Sequence, residues 1–276
     1  MILGDVLKRL AQDAFSSVDS GYYDVDITRY DGEGRILSNA IMKSLPSLVC
    51  EIKFASPSAG RINARIDQVS EIAAGMQRGG ASALSVLTER RNFNGSLSNL
   101  IRAREATRLP VIMKDIIVSR AQIEAASRIG ADAILLIYEL FEKNLTRALS
   151  LEEALALAHD LDLEVIVETS SEKGLERLLR LDDLDIIGIN NRDLDTFEVR
   201  LDRTIDLLTY LSENRSKGRR TPIIMSESGY EEPSDIASVL NGMDSKLVPN
   251  AFLIGTSIMR SGNIEAKVQE FASVLR

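Results

Sequence analysis

Eight short apolar runs, each ending in a turn and each separated from the next by room for one helix, constrain this chain more than any other feature. They are Leu48–Lys53, Ala83–Thr88, Pro110–Lys114, Asp132–Tyr138, Leu163–Glu168, Asp185–Asn190, Pro222–Glu227 and Ala251–Gly255. No run returns through a two-residue hairpin, and runs that are apolar almost throughout suit parallel strands covered on both faces. Eight strand–helix units of this kind predict an α/β fold, a (β/α)8 TIM barrel with an N-terminal helical extension. Such a barrel takes about 250 residues. The 276 residues are therefore expected to form one domain, 1–276, with residues 1–45 as an extension packed on the barrel.

Local punctuation agrees. Pro46, Pro110, Pro222 and Pro249 stand just before or at a strand start, where a missing N–H does least harm. Ser119 with Gln122 forms a capping box after the third run, Gly130 stops the helix that follows, and Gly79-Gly80 ends the helix before the second run. From Met1 to Ala14, and on to Phe15, the residues Ile2, Val6, Leu7, Leu10 and Phe15 recur at helical spacing. That helix is expected to cap the barrel bottom rather than to fold over its mouth. Residues 15 to 45, with Gly21, Gly32 and Gly34, read as extended or loop segments around a short helix.

The net charge of −8, from 41 acidic and 33 scattered basic residues, repels a nucleic-acid backbone and excludes nucleic acid as the main partner. No apolar stretch approaches the roughly 20 residues of a membrane span, and no secretory leader opens the chain, so no membrane partner is expected. The one cysteine, Cys50, has no intrachain disulfide partner, which fits a reducing, cytoplasmic setting. The one histidine, His159, falls in the helix before the fifth run, towards the barrel bottom. Acid–base chemistry here must then use Lys, Glu, Asp or Tyr, and no spacing suggests a metal site.

In a TIM barrel the active site forms at the C-terminal strand ends. Glu51 and Lys53, two apart on the first run, share its inner face with Val49, while Cys50 and Ile52 face the helices. They are either a proton-exchanging pair or a structural ion pair closing the barrel. Lys114 ends the apolar run Pro110–Met113 and suits a general acid, a Schiff-base nucleophile or an anion clamp. Glu168, after Val165-Ile166-Val167, is a candidate for a raised pKa and general-base work, or else a cap for the next helix near Ser171. Asn190 with Arg192 ends the sixth run. Ser228-Gly229 and Gly255-Thr256 close the last two, where small residues let backbone N–H groups approach a phosphate.

These segments resemble the indole-3-glycerol-phosphate synthase family. The resemblance rests on EIKFASPS (51–58), LSVLTE (84–89), FNGS (93–96), PVIMKD (110–115), GADAILLI (130–137), IGINNRDL (187–194), SESG (226–229) and FLIGTSIMR (252–260). It implies decarboxylating, dehydrating ring closure of a carboxyphenylamino-deoxyribulose phosphate, with no cofactor. In that reaction Lys114 would be the general acid on the carbonyl and Glu168 the base in dehydration, while Lys53, held by Glu51, would help the hydroxyl leave. Asn190 and Arg192 would orient the substrate. Phosphate would rest near Ser228, Gly229, Gly255 and Thr256, with Ser56 also in the binding set, and the aromatic ring would sit among Pro57, Phe93, Leu135 and Leu194. A small phosphosugar is the implied partner, and a monomer is expected ahead of a homodimer. Phe54 and Ala59 replace lysines common in the family, which removes positive charge from the first loop; Ile116 replaces a phenylalanine and Thr169 an aliphatic residue.

Three other readings compete. A phosphoribosylanthranilate isomerase would use a cysteine base on the first strand, but Cys50 has the wrong parity. A class I aldolase would use Lys114 as its Schiff base. A barrel that binds phosphate without catalysis would have little reason to keep so full an acid–base set.

Overall fold

The computed structural model describes residues 6–26, 34–194, 196–214, 222–243 and 247–275. Eight parallel strands close a barrel: β1 Ser47–Ile52, β4 Ala83–Leu87, β5 Val111–Lys114, β6 Ala133–Ile137, β7 Glu164–Thr169, β8 Ile186–Asn190, β9 Ile223–Glu227 and β10 Ala251–Ile254. All eight expected runs are strands, each within one residue of the expected ends. A small antiparallel hairpin, β2 Ala55–Ser56 with β3 Gly60–Arg61, folds within the loop after β1.

Strand alternation divides the apolar core into two layers. Val49, Ala83, Ile112, Leu135, Ile166 and Met225 fill the barrel interior, whereas Cys50, Val86, Met113, Leu136, Val167 and Ile224 pack against the surrounding helices. The β1 parity is as expected: Val49 and Glu51 point inwards and Cys50 outwards. The helix signals also hold. Ser119 and Gln122 make the capping box of α5 Arg120–Arg128, Gly130 lies at φ 83°, and Gly80, at φ 106°, ends α3 Val69–Gly79. His159 closes α7 Leu151–Asp160 and sits 2.9 Å from Asp185 at the strand N-termini, the end remote from the mouth. None of the described helices is long and apolar enough to cross a membrane.

The N-terminal segment departs from expectation twice. Helix α1 spans Val6–Asp19, five residues beyond Ala14; Ile2 and Gly32 lie outside the described residues. Nor does α1 cap the bottom: it lies across the mouth, packing Leu7, Leu10, Ala11 and Ala14 with Ile116 and Val118 from the loop after β5 and Leu140 from the short helix Tyr138–Glu142 after β6. The chain that follows is pinned at the same end, where the Tyr22 hydroxyl donates to the Thr88 carbonyl at 3.1 Å and the Tyr23 hydroxyl to Asp115 at 2.9 Å. The bottom is instead closed by the short helix α2 Leu37–Met42, whose Ile41 carbonyl accepts from the Ser47 hydroxyl at 2.8 Å. Helical periodicity shows that one face is buried, but the matching apolar loops decide which end of the barrel buries it.

Candidate active site

The strand ends surround a cavity of about 320 Å³ at the C-terminal mouth. Every site residue singled out from the sequence lines it: Glu51, Lys53, Ser56, Pro57, Phe93, Lys114, Leu135, Glu168, Asn190, Arg192, Leu194, Ser228, Gly229, Gly255 and Thr256.

Lys114 is at its centre. Its Nζ donates to Glu168 Oε2 at 3.0 Å and to Glu227 Oε2 at 3.1 Å, so one ammonium from β5 ties together carboxylates from β7 and β9. Burial pulls the pKa of this lysine down, but the charges of Glu168, Glu227 and Glu51 outweigh it and hold the group above its ordinary value. The amine therefore carries its proton at neutral pH, as a general acid requires; a Schiff-base nucleophile needs the opposite shift. Glu168 is buried and spent on Lys114. The α8 helix, Glu172–Leu178, is capped by Ser171, which accepts from the Gly174 N–H at 3.1 Å, so the capping role considered for Glu168 is already filled.

Lys53 and Glu51 form a second pair, Nζ to Oε1 2.6 Å apart, on the same cavity wall. Room for Glu51 depends on Gly255, where a Cβ would come within 2.6 Å of Glu51 Oε1. Asn190 accepts from the Arg192 backbone N–H at 2.9 Å, and its Nδ2 makes no hydrogen bond among the described residues. Arg192 donates to the Phe197 carbonyl at 3.1 Å, and burial pulls its guanidinium pKa below the ordinary value. Ser56 accepts from the Ala59 N–H at 3.1 Å, folding the first loop over the cavity edge.

After β9, Ser228 and Gly229 are both left-handed, with φ of 72° and 90°. A serine is held in that region only against strain, of the kind found at ligand-binding turns. The Ser228 carbonyl accepts from Asn191 Nδ2 at 3.1 Å, which fixes the turn. On the adjacent strand, Gly255 leads directly into α11 Thr256–Arg260, so first-turn N–H groups with no partner inside the helix lie beside that turn.

Among the cavity residues that sequence reasoning left without a role are Glu227, Asp115 and Leu10. Glu227 lay inside the motif 226–229 but received no role. It is 1% exposed, burial pushes its pKa up to about 8, and its Oε1 has no hydrogen-bond partner among the described residues. The available signal was a carboxylate ending the run Pro222–Glu227, as Glu168 ends the run Leu163–Glu168, though here Ser226 separates it from the apolar residues. Asp115, beside Lys114, accepts from Tyr23 and Thr88, and burial pushes it up to about 7. Leu10 of α1 reaches the cavity as well, and no local signal marks it.

The departures from the family pattern sort by position. Ala59 and Ile116 line the cavity. Phe54 is buried in the strand–helix layer, so its side chain does not face the site. Thr169 points away too, donating to Glu139 at 2.8 Å. Cys50 is fully buried in that outer layer, and burial raises its pKa, so the isomerase reading has no cysteine base here.

Comparison with known proteins agrees with this geometry. A family model described as indole-3-glycerol phosphate synthase matches residues 16–271. The indole-3-glycerol phosphate synthase of Methanocaldococcus jannaschii is 42% identical over 239 residues, covering 85% of this chain and 82% of that protein. The Lachnospira eligens protein of the same name is 35% identical over 99% of this chain and 96% of its own length. Among solved structures, thiamine phosphate pyrophosphorylase from Pyrococcus furiosus and tryptophan synthase subunit alpha from Legionella pneumophila each match with TM-score 0.59, at 13% and 12% identity. Likeness at that identity reports the barrel alone. The sequence matches, spanning both the barrel and its acid–base strand ends, report more: this chain belongs to the indole-3-glycerol phosphate synthase family.

Proposed function

We propose that the chain closes 1-(2-carboxyphenylamino)-1-deoxyribulose 5-phosphate to indole-3-glycerol phosphate, releasing CO2 and water, with Lys114 as the acid of the first step. The observation that carries this reading is the Lys114 Nζ, within hydrogen-bond distance of both Glu168 and Glu227 at the centre of the cavity. Protonating the C2′ carbonyl makes that carbon electrophilic, and the electron-rich aryl ring attacks through the carbon that bears the carboxylate. Loss of CO2 restores aromaticity to the ring. Glu168 then removes the proton that allows dehydration, and Lys53, steadied by Glu51, delivers a proton to the departing hydroxyl. The aryl nitrogen supplies the electrons, so the steps balance without a cofactor.

Binding follows from the walls. Pro57, Phe93, Leu135 and Leu194 offer the apolar slot for the aryl ring, and Asn190 and Arg192 offer donors for a substrate hydroxyl and carboxylate. Ser56 and the turns at Ser228, Gly229, Gly255 and Thr256 receive the phosphate. In this reading residues 1–276 work as a single domain, with extension 1–45 packed on the barrel, as a monomer in the cytoplasm.

The test is direct. Purified protein, chelated and without added cofactor, is mixed with the substrate and indole fluorescence is followed. The chain has no tryptophan, so the protein background is low. Turnover supports the reading; binding by calorimetry without turnover would replace it with the non-catalytic barrel.

A further inference from the structure

Glu89 is a buried carboxylate at the cavity wall for which the chemistry above has no use. It is 1% exposed, and its oxygens are occupied by backbone: Oε1 accepts from the Arg91 N–H at 2.9 Å, and Oε2 from those of Asn92 at 2.6 Å and Phe93 at 3.1 Å. Three successive N–H groups wrapped on one carboxylate fix the loop that presents Phe93. The loop closes through the Gly95 N–H on the Glu89 carbonyl at 2.9 Å. Asn94 before it is left-handed at φ 53°, and a Cβ at Gly95 would fall 2.4 Å from the Leu87 carbonyl oxygen, so only glycine fits at that position.

The same loop sets two further walls. The Phe93 carbonyl accepts from the Ala55 N–H at 3.2 Å, which fixes the segment bearing Ser56 and Pro57. Asn92 Nδ2 donates to Asp13 of α1 at 3.1 Å, and α1 contributes Leu10 to the cavity. The loop that Glu89 holds thus touches the segments that carry all three of Phe93, Pro57 and Leu10.

We infer that Glu89 is a positioning residue that determines selectivity for the aryl end of the substrate, acting through Phe93 and its neighbours and not on the reacting atoms. This rests on the reading of the site as an aryl-phosphoketose pocket. The experiment compares wild type, Glu89→Gln and Glu89→Asp in steady-state turnover, with inorganic phosphate as a competitive inhibitor. In Glu89→Gln the amide turns an N–H2 towards N–H donors and releases the loop. KM for the aryl substrate should rise about tenfold or more, while kcat stays within about threefold. The phosphate inhibition constant should rise far less than KM, by no more than about threefold, because Ser228, Gly229, Gly255 and Thr256 lie on other strands and only Ser56 is tied to this loop. Glu89→Asp keeps the charge and should lie between the two, and it carries the test if the glutamine variant does not fold. A fall in kcat at unchanged KM would overturn the inference, as would equal weakening of substrate and phosphate, or no change at all. Failure of the underlying reading would appear separately, as absent turnover in the wild type.

Discussion

Lys114 meets two carboxylates, and what each does depends on its own protonation. Burial penalises the Glu227 anion, so this carboxyl keeps its proton up to about pH 8. Below that pH, Glu227 is a neutral neighbour and the charges of Glu168 and Glu51 hold the Lys114 ammonium; above it, the Glu227 anion at 3.1 Å adds to them, holds the ammonium proton more tightly and makes a weaker acid. The kcat profile should therefore fall as pH rises through about 8, and Glu227→Gln should remove that inflection; a flat wild-type profile from pH 6 to 9.5 would refute the assignment. The stability linkage has the same sign. A carboxyl whose folded pKa is raised contributes stability that is complete below its ordinary pKa and is lost as pH rises through the folded value. In the proposed mechanism Glu168 acts in the later, dehydrating step, so Glu168→Gln should release CO2 in a single turnover while indole fluorescence lags behind it; simultaneous CO2 and indole signals would contradict that order.

At the scale of elements, the strands were the most legible part of the sequence because parallel, doubly covered strands leave apolar runs with clean ends. Strand parity then placed Glu51, Lys53, Lys114 and Glu168 on one cavity. The α1 helix was legible as a helix but not in its placement, since its stripe is matched by Ile116, Val118 and Leu140 on segments distant in sequence. Glu227 went unassigned because the small residues around it drew the reading towards phosphate. One glycine shows how tightly the strands hold the acids. A Cβ at Gly188 on β8 would stand 2.5 Å from Glu227 Oε1 and 3.0 Å from Glu168 Cβ. Gly188→Ala should displace both carboxylates and lower kcat by roughly 10²-fold, the cost of about an ångström of misplacement. Wild-type kcat in that variant would show that the geometry around Lys114 is less exacting than argued.

At the scale of the whole molecule, the two barrel ends have different tasks. The mouth carries the titrating cluster and α1, whereas the bottom carries α2 and the buried Arg104–Asp132 pair at 2.5 Å, which also receives the Arg35 and Val111 N–H groups. Removing one partner from a buried pair costs about 3–5 kcal/mol. Arg104→Ala should therefore lower unfolding stability in denaturant by about that amount while kcat of the folded enzyme stays near wild type, because Lys114 and its carboxylates lie at the other end. The central claim, that the Lys114 proton opens the reaction, is tested most directly by indole formation in Lys114→Ala beside the wild type, with circular dichroism confirming that both are folded. The expected result is a loss of about 10²–10⁴-fold in kcat with the fold intact. Turnover at the wild-type rate from the folded variant would contradict it.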